Sequence, residues 1–268
     1  MRKNKISILG SMLFLILAFV SSVSAQTEID SDTSANFDLQ AVAELFKESK
    51  TIEAFEKALN DSEVGINNLD LNDDGEVDVI SITEQIAAET RLLILRVPVA
   101  ENDFQDAATI AIEKNADRYD LEIEGNKDIY GDNYYVVPAS VNPSGWKIFG
   151  WLFRPNYRPY QSVFGYKTYP RWWKPRRVVS LNVYRAATGR FVGRRTFTTG
   201  NTRRLRNVTR INYTPRSSGR VVVRKKTVRT NGDKTVVKKG VKVTNTNNSN
   251  GNTNVKKVKV VKTKKRGN

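Results

Sequence analysis

The chain has 268 residues and contains neither cysteine nor histidine. These absences exclude disulfides, thiolate metal sites, thiol nucleophiles and a lipid-modified N-terminal cysteine, and they remove the commonest general base and transition-metal ligand. The net charge is +16, and any metal must be bound through oxygen, which suits hard cations such as calcium.

The chain opens as a secretory signal peptide. Arg2, Lys3 and Lys5 form a cationic start, an apolar run covers 6–20, and Val23, Ser24 and Ala25 end it in small residues, which predicts cleavage after Ala25. That run is shorter than the roughly 20 residues that cross a bilayer. The longest later apolar stretch, 92–95, is closed by Arg96 and Pro98. The mature protein is therefore expected in the periplasm, associated with an outer membrane, or outside the cell, and to carry no transmembrane span.

Charge divides the remainder. Residues 26–132 carry a net −19 and residues 133–268 a net +32, with Asp233 the single acid of the second part. So abrupt a change marks a module boundary, placed between Tyr134 and Pro143. The expected organisation is a polar leader at 26–36, an acidic domain at 37–140, an aromatic and basic arm at 141–175, and a basic, partly disordered tail at 176–268.

In the acidic part Leu39, Val42, Ala43 and Phe46 recur at helical spacing. Ile52, Phe55 and Leu59 repeat the pattern after Thr51, a predicted N-cap. Downstream the period changes to two. Val77, Val79 and Ile82 mark one strand, 92–99 a buried run, then 109–112, 119–123 and a last strand at 134–137. Two short helices packed on a small antiparallel β-meander make an α+β fold.

Between helices and sheet lies the sequence Asp70-Leu71-Asn72-Asp73-Asp74-Gly75-Glu76-Val77-Asp78, with oxygen donors at every second position. Asp70, Asn72 and Asp74 can converge on one cation, Gly75 permits the sharp turn, the backbone carbonyl of Glu76 adds an oxygen, and Val77 anchors the loop in the core. Glu84, Glu63 and Asp61 are unassigned candidates for completing the shell. The segment also suits a plain helix-to-strand turn.

The first nine positions resemble an EF-hand loop, but its twelfth position is Ser81 where that family has a bidentate Glu, and no helix follows. The loop is more similar to the Asp-x-Asn-x-Asp-Gly-x-x-Asp calcium loops that join strands in integrin-type propeller repeats. That resemblance implies a closing carboxylate at Asp78 and a structural calcium ion, and it covers about ten residues. More loosely, helix pair, loop and meander look like exported bacterial proteins that carry such a loop.

From 146 to 173 the chain holds all four tryptophans, interleaved with Lys147, Arg154, Arg158, Lys167 and Arg171 and broken by Pro155, Pro159 and Pro170. This composition disfavours a long helix or a central strand and reads as an irregular arm. Its rings suit stacking on sugars or bases, a membrane interface, or packing against the acidic domain. Further on, 221–230 and 234–243 flank Asn231-Gly232 as a hairpin with a type I′ turn, and 244–254 is low in complexity.

The basic half presents Arg171, Lys174, Arg176, Arg177, Arg203, Arg204, Arg206, Lys225, Lys226, Lys256 and Lys257 as polyanion-binding candidates. Outside the cytoplasm the matching partners are anionic polysaccharide, lipopolysaccharide or an acidic protein, and the chain's own acidic half is another. The function read from these features is an exported, non-enzymatic binding or envelope-associated protein. One alternative is a secreted enzyme acting on an acidic polysaccharide through carboxylates such as Glu84 or Asp132. Another is a structural subunit whose opposite-charge halves assemble head to tail.

Overall fold

Helix α1 (Leu39–Glu48) begins where the Asp38 carboxylate accepts the N–H groups of Gln40 and Ala41 at 2.8 and 3.3 Å. Helix α2 (Ile52–Leu59) begins where the Thr51 hydroxyl accepts the Ala54 N–H at 3.1 Å. Each cap satisfies otherwise orphaned donors and contributes about 1 kcal/mol. Leu39, Val42, Ala43, Phe46, Ile52, Phe55 and Leu59 are all fully buried. The computed structural model describes residues 32–139, 143–231, 234–245, 254–256 and 263–264, so the signal-peptide reading of 1–25 lies outside the described residues.

After these helices the chain runs as a meander: β1 (Ser81–Ala87), β2 (Thr90–Ala100), β3 (Asp103–Asn115), β4 (Arg118–Gly125), a helical turn α3 (Lys127–Tyr130) and β5 (Tyr135–Pro138). All neighbours pair antiparallel. The α+β fold expected from the sequence is the fold observed. The strand expected around Val77 and Val79 starts only at Ser81. Val77 and Val79 are buried in the preceding loop, where the Val77 N–H is bonded to the Arg176 carbonyl at 2.8 Å rather than to a sheet neighbour.

The basic half then adds α4 (Lys147–Leu152), α5 (Leu181–Val192) and β6 (Phe197–Gly200). Strand β6 pairs with β5 from Tyr135↔Gly200 to Pro138↔Phe197 and becomes the sixth strand of the same sheet. Helix α5 forms because Leu181, Tyr184, Thr188 and Phe191 fall on one buried face behind the Ser180 cap. Beyond it, β7 (Val222–Asn231) and β8 (Lys234–Asn245) pair antiparallel, with Thr230 opposite Thr235 and Asn231 opposite Lys234. The residues linking them, Gly232 among them, lie outside the described residues.

Both faces of the sheet are covered, which explains the unbroken apolar run 92–95. Leu93 and Leu95 join the main core with α1, α2 and α4, where Phe149 packs against Phe46 and stacks on Tyr119 at 4.7 Å. Leu92 and Ile94 face the other way, onto Ala111, Leu205, Val208 and Ile211. The latter three belong to a basic strap, residues 201–221, laid over the second face. No helix among the described residues is long and apolar enough to cross a membrane.

Candidate functional site

The loop 70–78 is hung from buried asparagines. Asn60 bonds both backbone groups of Ile80 at 2.7 Å, Asn68 bonds both those of Val179 at 2.9–3.0 Å, and Asn67 donates to the Asp78 carbonyl at 2.7 Å. These amides act as short strand edges, so the loop ends are fixed where the sheet cannot reach them. Leu69, Leu71, Val77 and Val79 are buried beneath it. Asp73 and Gly75 take φ values of +64° and +84°, and no atom would crowd a Cβ at Gly75, so the glycine is required by backbone conformation rather than by space.

The loop carboxylates are turned toward the loop's own amides. Asp70 accepts the N–H groups of Asp74 and Gly75 at 3.2 and 3.0 Å, Asp74 accepts that of Glu76 at 2.8 Å, and Asp78 accepts that of Leu71 at 2.6 Å. Asn72 donates its amide to Asp74 at 2.8 Å. The Glu76 side chain is exposed, and its backbone bridges to Arg177. Burial raises the Asp78 carboxyl to about 7, and the charges of Asp70 and Asp74 push the same way. Burial likewise raises Asp70. Among the described residues no group of three or more carboxylates stands together closely enough to hold a metal ion.

A second constellation holds the strap. Glu122 accepts the Arg204 N–H at 2.5 Å, Glu113 the Val208 N–H at 2.9 Å, Asp106 the Arg216 N–H at 2.8 Å and Gln105 the Ser218 N–H at 3.0 Å. All four acceptors are buried. Asp106 also pairs with the Arg96 guanidinium at 3.0 Å and accepts the Tyr213 hydroxyl at 2.8 Å. The acidic sheet thus grips the main chain of the strap, while the arginine side chains beside those contacts remain exposed at Arg204, Arg206, Arg210 and Arg216.

A third constellation fixes the aromatic arm. Tyr160 donates its N–H to Glu84 at 2.9 Å and its hydroxyl to Glu56 at 2.7 Å, while Glu56 also accepts the Ile82 N–H at 2.7 Å. The Tyr157 hydroxyl donates to the same Glu84 oxygen, and Arg91 lies 3.8 Å from the other. Burial raises both carboxyls above the usual range. Glu84 is thereby committed to holding the arm. Asp132 lines a cavity of about 180 Å³ with Asp106, Asn126 and Tyr213.

The predicted cations are distributed unevenly. Arg171, Lys174, Arg177, Arg204 and Arg206 are exposed, and none makes a side-chain ion pair among the described residues. Arg176 is half-buried against the Asn67 carbonyl, and burial lowers its guanidinium pKa. Arg203 pairs with Glu124. Lys225 and Lys226 lie in β7 and Lys256 in the short strand Asn254–Lys256, whereas Lys257 lies outside the described residues. Sequence reasoning missed Glu113, Glu122, Asp106 and Gln105, whose partners lie about a hundred residues away. Only their placement on strand faces that should otherwise be solvated hinted at a role.

Comparison of the chain with protein-family models, with curated proteins and with solved structures found no match.

Proposed function

We propose that the protein is an exported, non-enzymatic binding protein whose basic outer surface adheres to anionic polysaccharide or lipopolysaccharide, with the acidic part as its scaffold. One observation carries this reading: the sheet's acids hold the strap by its backbone N–H groups, so Arg204 and Arg206 remain exposed and free of ion pairs among the described residues. Had the acids taken the guanidinium groups, the two charges would cancel at short range. Cations arranged along a surface release counterions from a polyanion on contact, so binding should weaken steeply with salt. The pairs Arg194–Glu48, Arg203–Glu124 and Arg224–Asp73 support contact between the halves within one chain over head-to-tail assembly.

Calcium enters this reading as a structural ion. The donors that would hold it are Asp70, Asn72, Asp74, the Glu76 carbonyl and Asp78, an all-oxygen set suited to a hard cation. Burial is the main cause of the raised Asp78 carboxyl, but the charges of Asp70 and Asp74 push the same way, and a bound cation would relieve that part of the elevation. The Asn72–Asp74 bond would have to open for the donors to converge. Binding to a sulfated polysaccharide column with elution by sodium chloride tests the adhesive role; retention that salt does not reverse argues for aromatic contacts instead.

A further inference from the structure

Six large apolar side chains stand exposed among the described residues, and four of them share one short segment: Val163, Tyr166, Tyr169 and Trp172, at 59%, 41%, 43% and 43% exposure. The segment is built to hold them there. Phe164 is buried and sets its ring edge-on to Trp172 at 5.8 Å, while Tyr169 packs on Trp173 at 4.2 Å. Reciprocal backbone bonds between Gly165 and Thr168, at 3.0 and 3.1 Å, close a turn with Tyr166 and Lys167 at its tip. Large apolar side chains left exposed together in one short, well-packed segment point to an interaction site.

Its surroundings select the partner. Lys167, Arg171 and Lys174 are exposed in the same stretch, and residues 133–232 contain no acid. Val163 is the most exposed of the four and has no ring face to stack on a sugar or base. Aliphatic, tyrosine and tryptophan side chains flanked by cations match the interface of a bilayer, where rings lie at headgroup level and cations meet lipid phosphates.

We propose that the 163–174 segment docks the protein onto a phospholipid surface containing anionic lipid, with Val163, Tyr166, Tyr169 and Trp172 entering the interface and Lys167, Arg171 and Lys174 contacting headgroups. This surface is separate from the strap and does not depend on the polysaccharide reading. The acidic loop meets the chain just past this segment, through the Glu76–Arg177 bridge and the Val77 N–H bond to the Arg176 carbonyl at 2.8 Å. Glu76 is exposed and repels anionic headgroups, so Glu76→Gln should strengthen docking.

The test is co-sedimentation of the mature chain with vesicles of phosphatidylcholine alone and of phosphatidylcholine with phosphatidylglycerol, alongside a sulfated polysaccharide. Wild type is expected to bind only the anionic vesicles. The Tyr166→Ser, Tyr169→Ser, Trp172→Ser triple variant should lose roughly tenfold or more of that binding, with polysaccharide binding unchanged. Should the triple variant lose thermal stability, Lys167→Gln, Arg171→Gln, Lys174→Gln provides a solely surface-directed version with the same expected loss. Failure of wild type to bind either vesicle, or vesicle binding equal to wild type in both variants, overturns the proposal. Loss of polysaccharide binding alone in the aromatic variant also overturns it and makes the segment a carbohydrate platform.

Discussion

Glu113 accepts the backbone N–H of Val208 at 2.9 Å across the second face of the sheet, and its other oxygen accepts the Asn207 amide at 3.1 Å. An acid of the negative half thus holds the positive half by a neutral peptide group. The bond seats Val208 on Leu92 and Ile94, and the neighbouring arginines keep their charge for solvent.

Glu113→Ala should therefore destabilise the fold by about 1–3 kcal/mol, the cost of leaving a buried donor unpaired. Glu113→Gln, which keeps an acceptor, should lose much less. Urea midpoints give the magnitude, and faster tryptic cleavage at Arg204, Arg206 or Arg210 in the alanine variant would locate the loss in the strap.

Asp106 is the strap's other fixed point. It is fully enclosed, ion-paired to Arg96 at 3.0 Å and bonded to Tyr213 and Arg216. Removing one member of a buried pair leaves the other uncompensated and typically costs 3–5 kcal/mol, roughly. Asp106→Ala should thus be among the most damaging substitutions in the chain, measured as a drop in melting temperature. Arg96→Met, which removes the charge but keeps volume, should be damaging too, because it leaves Asp106 buried without its cation.

Stability should also depend on pH through Glu56. Burial raises its carboxyl above 4.5 in the folded state, so the folded chain holds this proton more tightly than the unfolded chain does. The contribution is fully present below about 4.5 and is lost as pH rises from there through the folded value. Glu56→Gln should flatten the fall of the urea midpoint across that window. Part of the slope should remain, because Glu84 and Glu122 are raised by burial in the same direction.

The helix pair and the meander were legible because their apolar residues form recognisable patterns: Leu39, Val42, Ala43 and Phe46 at helical spacing, and among the strands the unbroken buried run 92–95. Loop 70–78 was legible as a turn of oxygen donors, although its amides, rather than a common centre, receive the carboxylates as placed. The strap was not legible. Leu205, Val208 and Ile211 are three apart in a segment that forms only a short helical turn, and its buried partners are main-chain donors that carry no side-chain signature. Helix α5 carried its signal in Leu181, Tyr184 and Phe191 behind Ser180, but the surrounding arginines suggested a solvated tail.

Calcium should raise the melting temperature of residues 26–268 relative to chelator. At a hundredfold excess over the dissociation constant the gain is about 2.7 kcal/mol. Asp74→Asn and Asp78→Asn should each shrink the difference. Identical melting of wild type in calcium and chelator would remove calcium from the reading and leave the loop as a turn.

The most direct measurement is the affinity of residues 26–268 for an immobilised sulfated polysaccharide as sodium chloride is raised, for wild type and for the strap variant Arg204→Gln, Arg206→Gln, Arg210→Gln, Arg216→Gln combined. The predicted result is a linear fall of log affinity with log salt in wild type and a shallower slope with weaker binding in the variant, whose fold should be intact because these four side chains are exposed. Wild-type binding that is absent at low salt, or a variant with the same slope and affinity as wild type, would contradict a cationic adhesive surface.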